Sequence, residues 1–173
     1  MAFAVVNYPT LSESDFTWIQ HIRKKHDRLF YRIVDPHITF VFPTENIELD
    51  TFTNHIKSVS SKFNSFTFVC RCVTIGDPDF WEHAHVFMIP DEGFSTIVKL
   101  HDAFYRGILE KELRLDLPFV PHIGVASYPS PEQCKKVVDG LNQRDFQIIG
   151  KVQSLDIIEF DGESTKTIDQ IEL

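Results

Sequence analysis

Two segments of the chain repeat one tripeptide in one setting. Pro36-His37-Ile38-Thr39-Phe40-Val41-Phe42-Pro43 and, 85 residues further on, Pro121-His122-Ile123-Gly124-Val125-Ala126-Ser127 each place a proline and a histidine ahead of an apolar run. The residue before a proline is pushed out of the helical region, and a short apolar run bounded by turn formers reads as a strand. Repetition of such a unit constrains the chain to a duplicated architecture with both strands in equivalent places.

The flanking segments fit that duplication. Residues 2 to 8 read as a central strand, followed by a helix to about residue 30, capped by Ser12 or Ser14, with Phe16, Ile19, Ile22, His26, Leu29 and Phe30 at helical spacing. After the first His strand (36–43), a helix is expected from Leu49 to Lys62. Phe66 to Ile75 and the HAHVFMI run then form a hairpin around Gly76-Asp77-Pro78. A third helix is expected over Phe94 to Leu113, followed by the second His strand (121–127). A fourth helix opens at Ser130-Pro131, and strands over Phe146–Phe160 and Thr167–Leu173 flank a turn at Asp161-Gly162. No low-complexity linker separates the halves, so residues 1–173 read as one domain with two packed halves, and equivalent strands bring both histidines to a shared cleft.

Composition narrows the partners. The 173 residues carry 25 acidic against 17 basic side chains, a formal charge of -8, which argues against a protein gripping extended duplex nucleic acid. A small phosphorylated ligand or a short RNA end remains compatible. The first residues, MAFAVVNYP, lack the basic-then-apolar pattern of a signal peptide, and no apolar run has membrane-spanning length, so a cytoplasmic protein without a membrane partner is expected. Cys70, Cys72 and Cys134 are odd in number and lack Cys-x-x-Cys spacing, which points to reduced thiols.

Strand alternation puts His37, Thr39 and Val41 on one face, opposite Ile38, Phe40 and Phe42. In the second run His122, Gly124 and Ala126 share a face, with Ser127 on the other. Two imidazoles in one cleft suit acid and base work near neutral pH, and a hydroxyl two residues along can donate to a phosphate oxygen. His37, Thr39 and His122 thus form a coherent metal-free phosphoryl-transfer set.

The paired PHITF and PHIGV runs, their spacing and the opening FAVVNYP resemble the 2H phosphoesterase superfamily, which includes cyclic phosphodiesterases and 2'-5' RNA ligase-like proteins. The resemblance implies an α+β fold of two pseudo-symmetric lobes, each a mainly antiparallel sheet with helices outside, around a central cleft. It further implies His37 and His122 as catalytic acid and base, Thr39 as a phosphate ligand, no metal, no cofactor, and a small nucleotide or RNA-terminal phosphodiester, such as a 2',3'-cyclic phosphate, as substrate. RNA processing and a monomeric state accompany this expectation. Gly124 departs from the pattern, which places a hydroxyl there; its backbone N–H is the available substitute. The alternative is a catalytically weak nucleotide- or RNA-end-binding protein that keeps the cleft.

Further candidates lie outside the motifs. Tyr8, Phe80 and Trp81 offer stacking surfaces for a base. His83 and His85 alternate on one strand face at a chelating distance, but without a third ligand His85 reads as cleft wall. Arg71 and Lys151, in equivalent hairpins, are candidates for steering a phosphate, with solvated edge charge as the other reading.

Overall fold

The computed structural model describes residues 2–76 and 83–173; Phe80, Trp81 and the Asp77-Pro78 turn lie outside the described residues. Its elements run β1 (Ala2–Asn7), α1 (Glu13–His26), β2 (Ile38–Thr44), α2 (Leu49–Ser60), β3 (Phe66–Gly76), β4 (Ala84–Glu92), α3 (Phe94–Phe104), β5 (Ile123–Tyr128), α4 (Pro131–Asn142), β6 (Ile148–Val152), β7 (Ser154–Phe160) and β8 (Thr165–Glu172). Two four-stranded antiparallel sheets result, ordered β2-β1-β7-β8 and β5-β4-β3-β6. The fold is α+β with two lobes.

Each sheet draws strands from both halves of the sequence. β3, from the first half, pairs with β4 and β6, while β7, from the second, pairs with β1. The helices also cross over: α1 follows β1 in sequence but packs on β5, and α3 packs on β2. The His strands do not pair with each other; each is the edge of its own sheet. One continuous core joins Val5, Ile38 and Ile157 of the first sheet to Val73, Val86 and Ile123 of the second, with Ile19, Phe52, Leu100 and Val138 from the four helices.

Local chemistry explains most boundaries. Ser12 accepts a hydrogen bond from the Asp15 N–H and Ser130 from the Gln133 N–H, and Pro131 opens α4 where its missing N–H costs nothing. The third helix stops at Phe104, short of the expected Leu113, because Gly107 turns into the left-handed region at φ 67°. A separate 3₁₀ helix covers Gly107–Glu112. Phe16, expected on the inward stripe of the first helix, is 40% exposed. The expected long strand over Phe146–Phe160 is two strands, broken at Gln153 so that β6 joins one sheet and β7 the other. At the Asp161-Gly162 turn, Asp161 Oδ1 accepts from the Glu163 and Ser164 N–H groups.

Strict alternation fails in both His strands, at the same place. Val5 and Val6 of β1 face Val41 and Thr39, skipping Phe40; Val86 and Phe87 of β4 face Ala126 and Gly124, skipping Val125. Each skip is a bulge three residues after the histidine. Phe40 and Val41 consequently both enter the core, as do Val125 and Ala126, so Val41 and Ala126 do not share the histidines' face. Beyond the bulge the parity reverses, which corrects the assignment of Ser127 to the opposite face. Ser127 is buried, its hydroxyl donating to Asp27 Oδ1 (2.9 Å) and accepting from the Leu29 N–H.

A buried guanidinium fixes the approach to the first His strand. Arg23, 1% exposed, bonds Asp27 Oδ2 through Nε and Nη2, and Nη2 also donates to the carbonyls of Phe30 (3.2 Å) and Val34 (2.7 Å). Burial draws its pKa down and the Asp27 carboxylate opposes that shift. Arg23→Ala would strand Asp27 in the interior, at a cost of about 3–5 kcal/mol for an unpaired buried charge. Thermal denaturation should show a large fall in Tm; a Tm within a degree or two of the parent would contradict this role.

Candidate active site

His37 and His122 each occupy the residue just before their strand, and each is half-buried. Their rings are held alike. Nδ1 of His37 lies 2.8 Å from the Asp35 carbonyl, and Nδ1 of His122 lies 2.6 Å from the Val120 carbonyl. A carbonyl only accepts, so in both rings the proton sits on Nδ1 and the lone pair on Nε2. Burial pushes both down to about 4, against the pull of those carbonyl bonds. The proximity of His37, and then of His85, depresses His122 further, which places the three imidazoles in one neighbourhood.

Beside His37, Tyr8 meets the imidazole edge-on at 6.3 Å between centroids, and its phenol pKa is raised by burial. Thr39 is half-buried, opposite Val6 on β1, and Val6 is in turn opposite Asp156 on β7. Ala4, Val6 and Ile158 form a small apolar cluster against Tyr8, separate from the main core, so this row floors the first sheet's outer face. Asp156 had no signal in the sequence. It is 4% exposed, its pKa is raised by burial, and Oδ2 has no hydrogen-bond partner among the described residues.

The second sheet supports His122 with aromatic rings. Phe87 stacks on the His122 imidazole, with centroids 3.5 Å apart and planes 16° from parallel. His85, 8% exposed, lies between Phe87 at 6.0 Å and Phe30 at 6.2 Å, so Phe30, His85, Phe87 and His122 form a row. Phe87 lies flat because Gly76 on β3 is bare: a Cβ there would collide with its ring. Neither Phe87 nor Gly76 stood out in the sequence, where one read as a strand apolar and the other as a turn former. At Gly124, by contrast, a Cβ would meet nothing within 4 Å, so the space beside His122 is open.

The remaining candidates divide. Arg71 is not directed to the histidines: its guanidinium bonds Asp91 (2.8 Å), Glu92 and Gln147 (3.2 Å) on the surface, the solvated-edge arrangement. Lys151 exchanges backbone hydrogen bonds with Thr10, and its strand partner is Thr67, nine positions along β3 from the Gly76 that faces His85. Trp81 lies outside the described residues. His101 is buried, bonded to the Phe40 carbonyl and stacked on Phe119. Among the described residues no group of three or more His, Cys, Asp or Glu side chains is placed to hold a metal. No helix among them is long and apolar enough to cross a membrane.

Comparisons with known proteins bear on the family and the fold. The sequence model of a family described as the 2'-5' RNA ligase superfamily matches residues 11–164. A "Putative phosphoesterase" of Bacillus licheniformis is 26% identical over 150 residues, covering 84% of this chain and 82% of its own length. Its namesake from Bacillus cytotoxicus is 26% identical over 148 residues, covering 84% and 81%. Among solved structures, a Thermus thermophilus protein aligns with a TM-score of 0.61 at 16% identity over 100% of this chain and 98% of its own. Escherichia coli LigT complexed with 3'-AMP aligns at 0.59 and 13% identity, over 99% and 97%. Usb1 of Kluyveromyces marxianus aligns at 0.58 and 11%, over 99% and 98%. These likenesses place the fold.

The ring platform predicts a titration. Phe87→Ala opens the face of His122 to water, relieving the burial that holds its pKa near 4. By NMR, His122 should titrate closer to 6.5 in Phe87→Ala, with a smaller shift of the same sign in Gly76→Ala, while His37 stays where it is. An unmoved His122 would overturn the platform.

Proposed function

The chain belongs to the 2'-5' RNA ligase superfamily, the 2H phosphoesterases, and we propose that it is a metal-independent phosphodiesterase acting on a 2',3'-cyclic phosphate or a related nucleotide or RNA-end phosphodiester. The observation that carries this reading is the matched tethering of His37 and His122, each with Nδ1 on the carbonyl two residues back and Nε2 left for chemistry. One Nε2 takes a proton from water as its oxygen bonds to phosphorus. The other, protonated, gives its proton to the ribose oxygen as the P–O bond breaks. Thr39 donates its hydroxyl to a non-bridging oxygen, and the backbone N–H of Gly124 stands in for the hydroxyl that this chain lacks. Tyr8 and His85 line the bound substrate.

Gly124 also supports a second reading, a protein that binds nucleotide or RNA ends in the same cleft with slow turnover. Loss of one donor to a developing oxyanion costs about 10²–10³ in rate where that has been measured. The open space at Gly124 admits the Cβ of a threonine without contact with any neighbour within 4 Å. Gly124→Thr should therefore raise kcat on 2',3'-cyclic nucleotides; a fall would mean that the substrate occupies the space. His37→Ala and His122→Ala should each lower kcat by about 10²–10⁴, with EDTA without effect. Nucleotide binding without product would favour the second reading, and chelator-sensitive turnover would exclude metal-independent catalysis.

The pH dependence follows from the tethers. Catalysis needs one neutral and one protonated imidazole, and in the free protein both lose their protons above about 4. The singly protonated pair then falls about tenfold per pH unit, and kcat/KM, which reports the free enzyme, should decline from about pH 5 to about pH 8. A bound phosphate raises the pKa of its imidazole neighbours, so kcat should hold to higher pH. A kcat/KM that climbs across that range would contradict the assignment.

A further inference from the structure

The negative charge of the chain is not evenly spread. Residues 21–32, HIRKKHDRLFYR, hold five Lys or Arg against one acid, so this stretch is +4 while the rest of the chain is -12. Arg23 is buried on Asp27. Lys24, Lys25, Arg28 and Arg32 are exposed, and none forms an ion pair among the described residues. Four exposed cations with no acidic partner among the described residues, on a chain rich in acids, form a surface suited to an external anion.

That surface carries aromatic rings and leads toward the histidines. The Arg28 guanidinium stands 5.7 Å from the centre of the Tyr128 ring, and Tyr128 Oη lies 2.8 Å from His26 Nδ1. Two residues after Arg28, Phe30 begins the row of rings that ends at His122. Arg32 and Tyr31 line a groove of about 430 Å³ with Tyr8, Asp35 and Thr165, and Tyr8 touches His37. Cations alternating with half-buried aromatics are the arrangement that holds a single strand of nucleic acid, its phosphates on the cations and its bases against rings. A folded anionic protein needs no such row, and a membrane surface needs exposed apolar side chains beside the charge; here Leu29, Phe30 and Tyr31 are all half-buried.

We propose that the surface formed by Lys24, Lys25 and Arg28, continuing through Arg32, holds the strand upstream of the scissile phosphate, so that the preferred substrate is the 3' end of a single-stranded RNA of several nucleotides and not a free nucleotide. This rests on the reading of His37 and His122 as a phosphodiesterase pair. The pair takes the terminal cyclic phosphate and the basic surface takes the phosphates before it.

The test compares the parent with Lys24→Ala/Lys25→Ala/Arg28→Ala, three exposed truncations that leave the histidines and the groove intact. The probes are a hexanucleotide RNA and a mononucleotide, both ending in a 2',3'-cyclic phosphate, and the same hexanucleotide ending in a 3'-phosphate for binding by fluorescence anisotropy. The parent should prefer the hexanucleotide in kcat/KM by at least about tenfold at low salt. Three phosphate contacts to a single strand give a log–log salt slope of about -2, and the triple variant should lose most of that slope and of the length preference, with mononucleotide turnover unchanged. Equal kcat/KM for both lengths, or a slope that survives in the triple variant, overturns the surface. So does sedimentation with phosphatidylserine vesicles in the absence of salt-dependent RNA binding. Should neither cyclic phosphate be opened while salt-dependent binding is lost in the variant, the surface stands and the phosphodiesterase reading falls.

Discussion

The cluster around Arg23 ties the two lobes to one another. Its guanidinium holds the carbonyls of Phe30 and Val34, which lead directly into Asp35-Pro36-His37, and its partner Asp27 accepts from Ser127 on β5, the strand that carries His122. One buried ion pair therefore touches the approach to the first histidine and the strand of the second. The second half answers with neutral groups in corresponding places: His101 of α3 bonds the Phe40 carbonyl on β2, and the Tyr105 hydroxyl accepts from the Phe42 N–H. Each helix grips the edge strand of the opposite sheet. An edge strand leaves one row of backbone groups unpaired, so this crossing also covers what the sheets leave open.

Duplication explains why the histidines are so alike, and the differences around them explain what each is fitted for. Both rings have the same tautomer for the same reason, a carbonyl two residues back. Their surroundings diverge: His37 has a phenol at its edge and a threonine two residues on, while His122 lies against a phenyl ring beside open space. A desolvated pair of imidazoles close together resists taking even one proton, because the charged form lacks water and each cation repels the next. A phosphate anion between them reverses that balance. On the proposed reading, substrate itself creates the protonated partner that catalysis requires, and a neutral ligand in the cleft would not.

Much of this was legible in the sequence because it is local. The caps at Ser12 and Ser130, the hairpin of β3 and β4, and the paired His strands follow from nearest-neighbour rules. What alternation missed were the bulges at Phe40 and Val125, since a bulge is a property of two strands in register and neither strand announces it alone. The exchange of β3 and β7 between sheets was hidden for the same reason, and Gln153, where one apolar run changes sheets, looks like any other strand polar residue. Arg71 resembled a phosphate guide until Asp91 and Glu92, twenty residues away, were seen to hold it. Phe87 and Gly76 matter only through each other, one ring lying flat because the neighbouring strand offers no side chain.

Net charge shows how averaging can mislead. A charge of -8 sets an expectation against a long duplex, since binding of that kind needs many phosphate contacts spread over a wide face. The expectation does not extend to a short strand, whose binding depends on potential within about 8 to 10 Å at ordinary ionic strength. Lys24, Lys25, Arg28 and Arg32 are exposed within one short stretch and dominate its charge, while acids farther than that range are largely screened. On the proposed reading the same acids have a use: they repel a polyanion elsewhere, so a strand that approaches is guided toward the basic stretch. On that reading overall acidity and a local basic surface are complementary, with the acidic majority supplying selectivity and the short basic stretch supplying attachment.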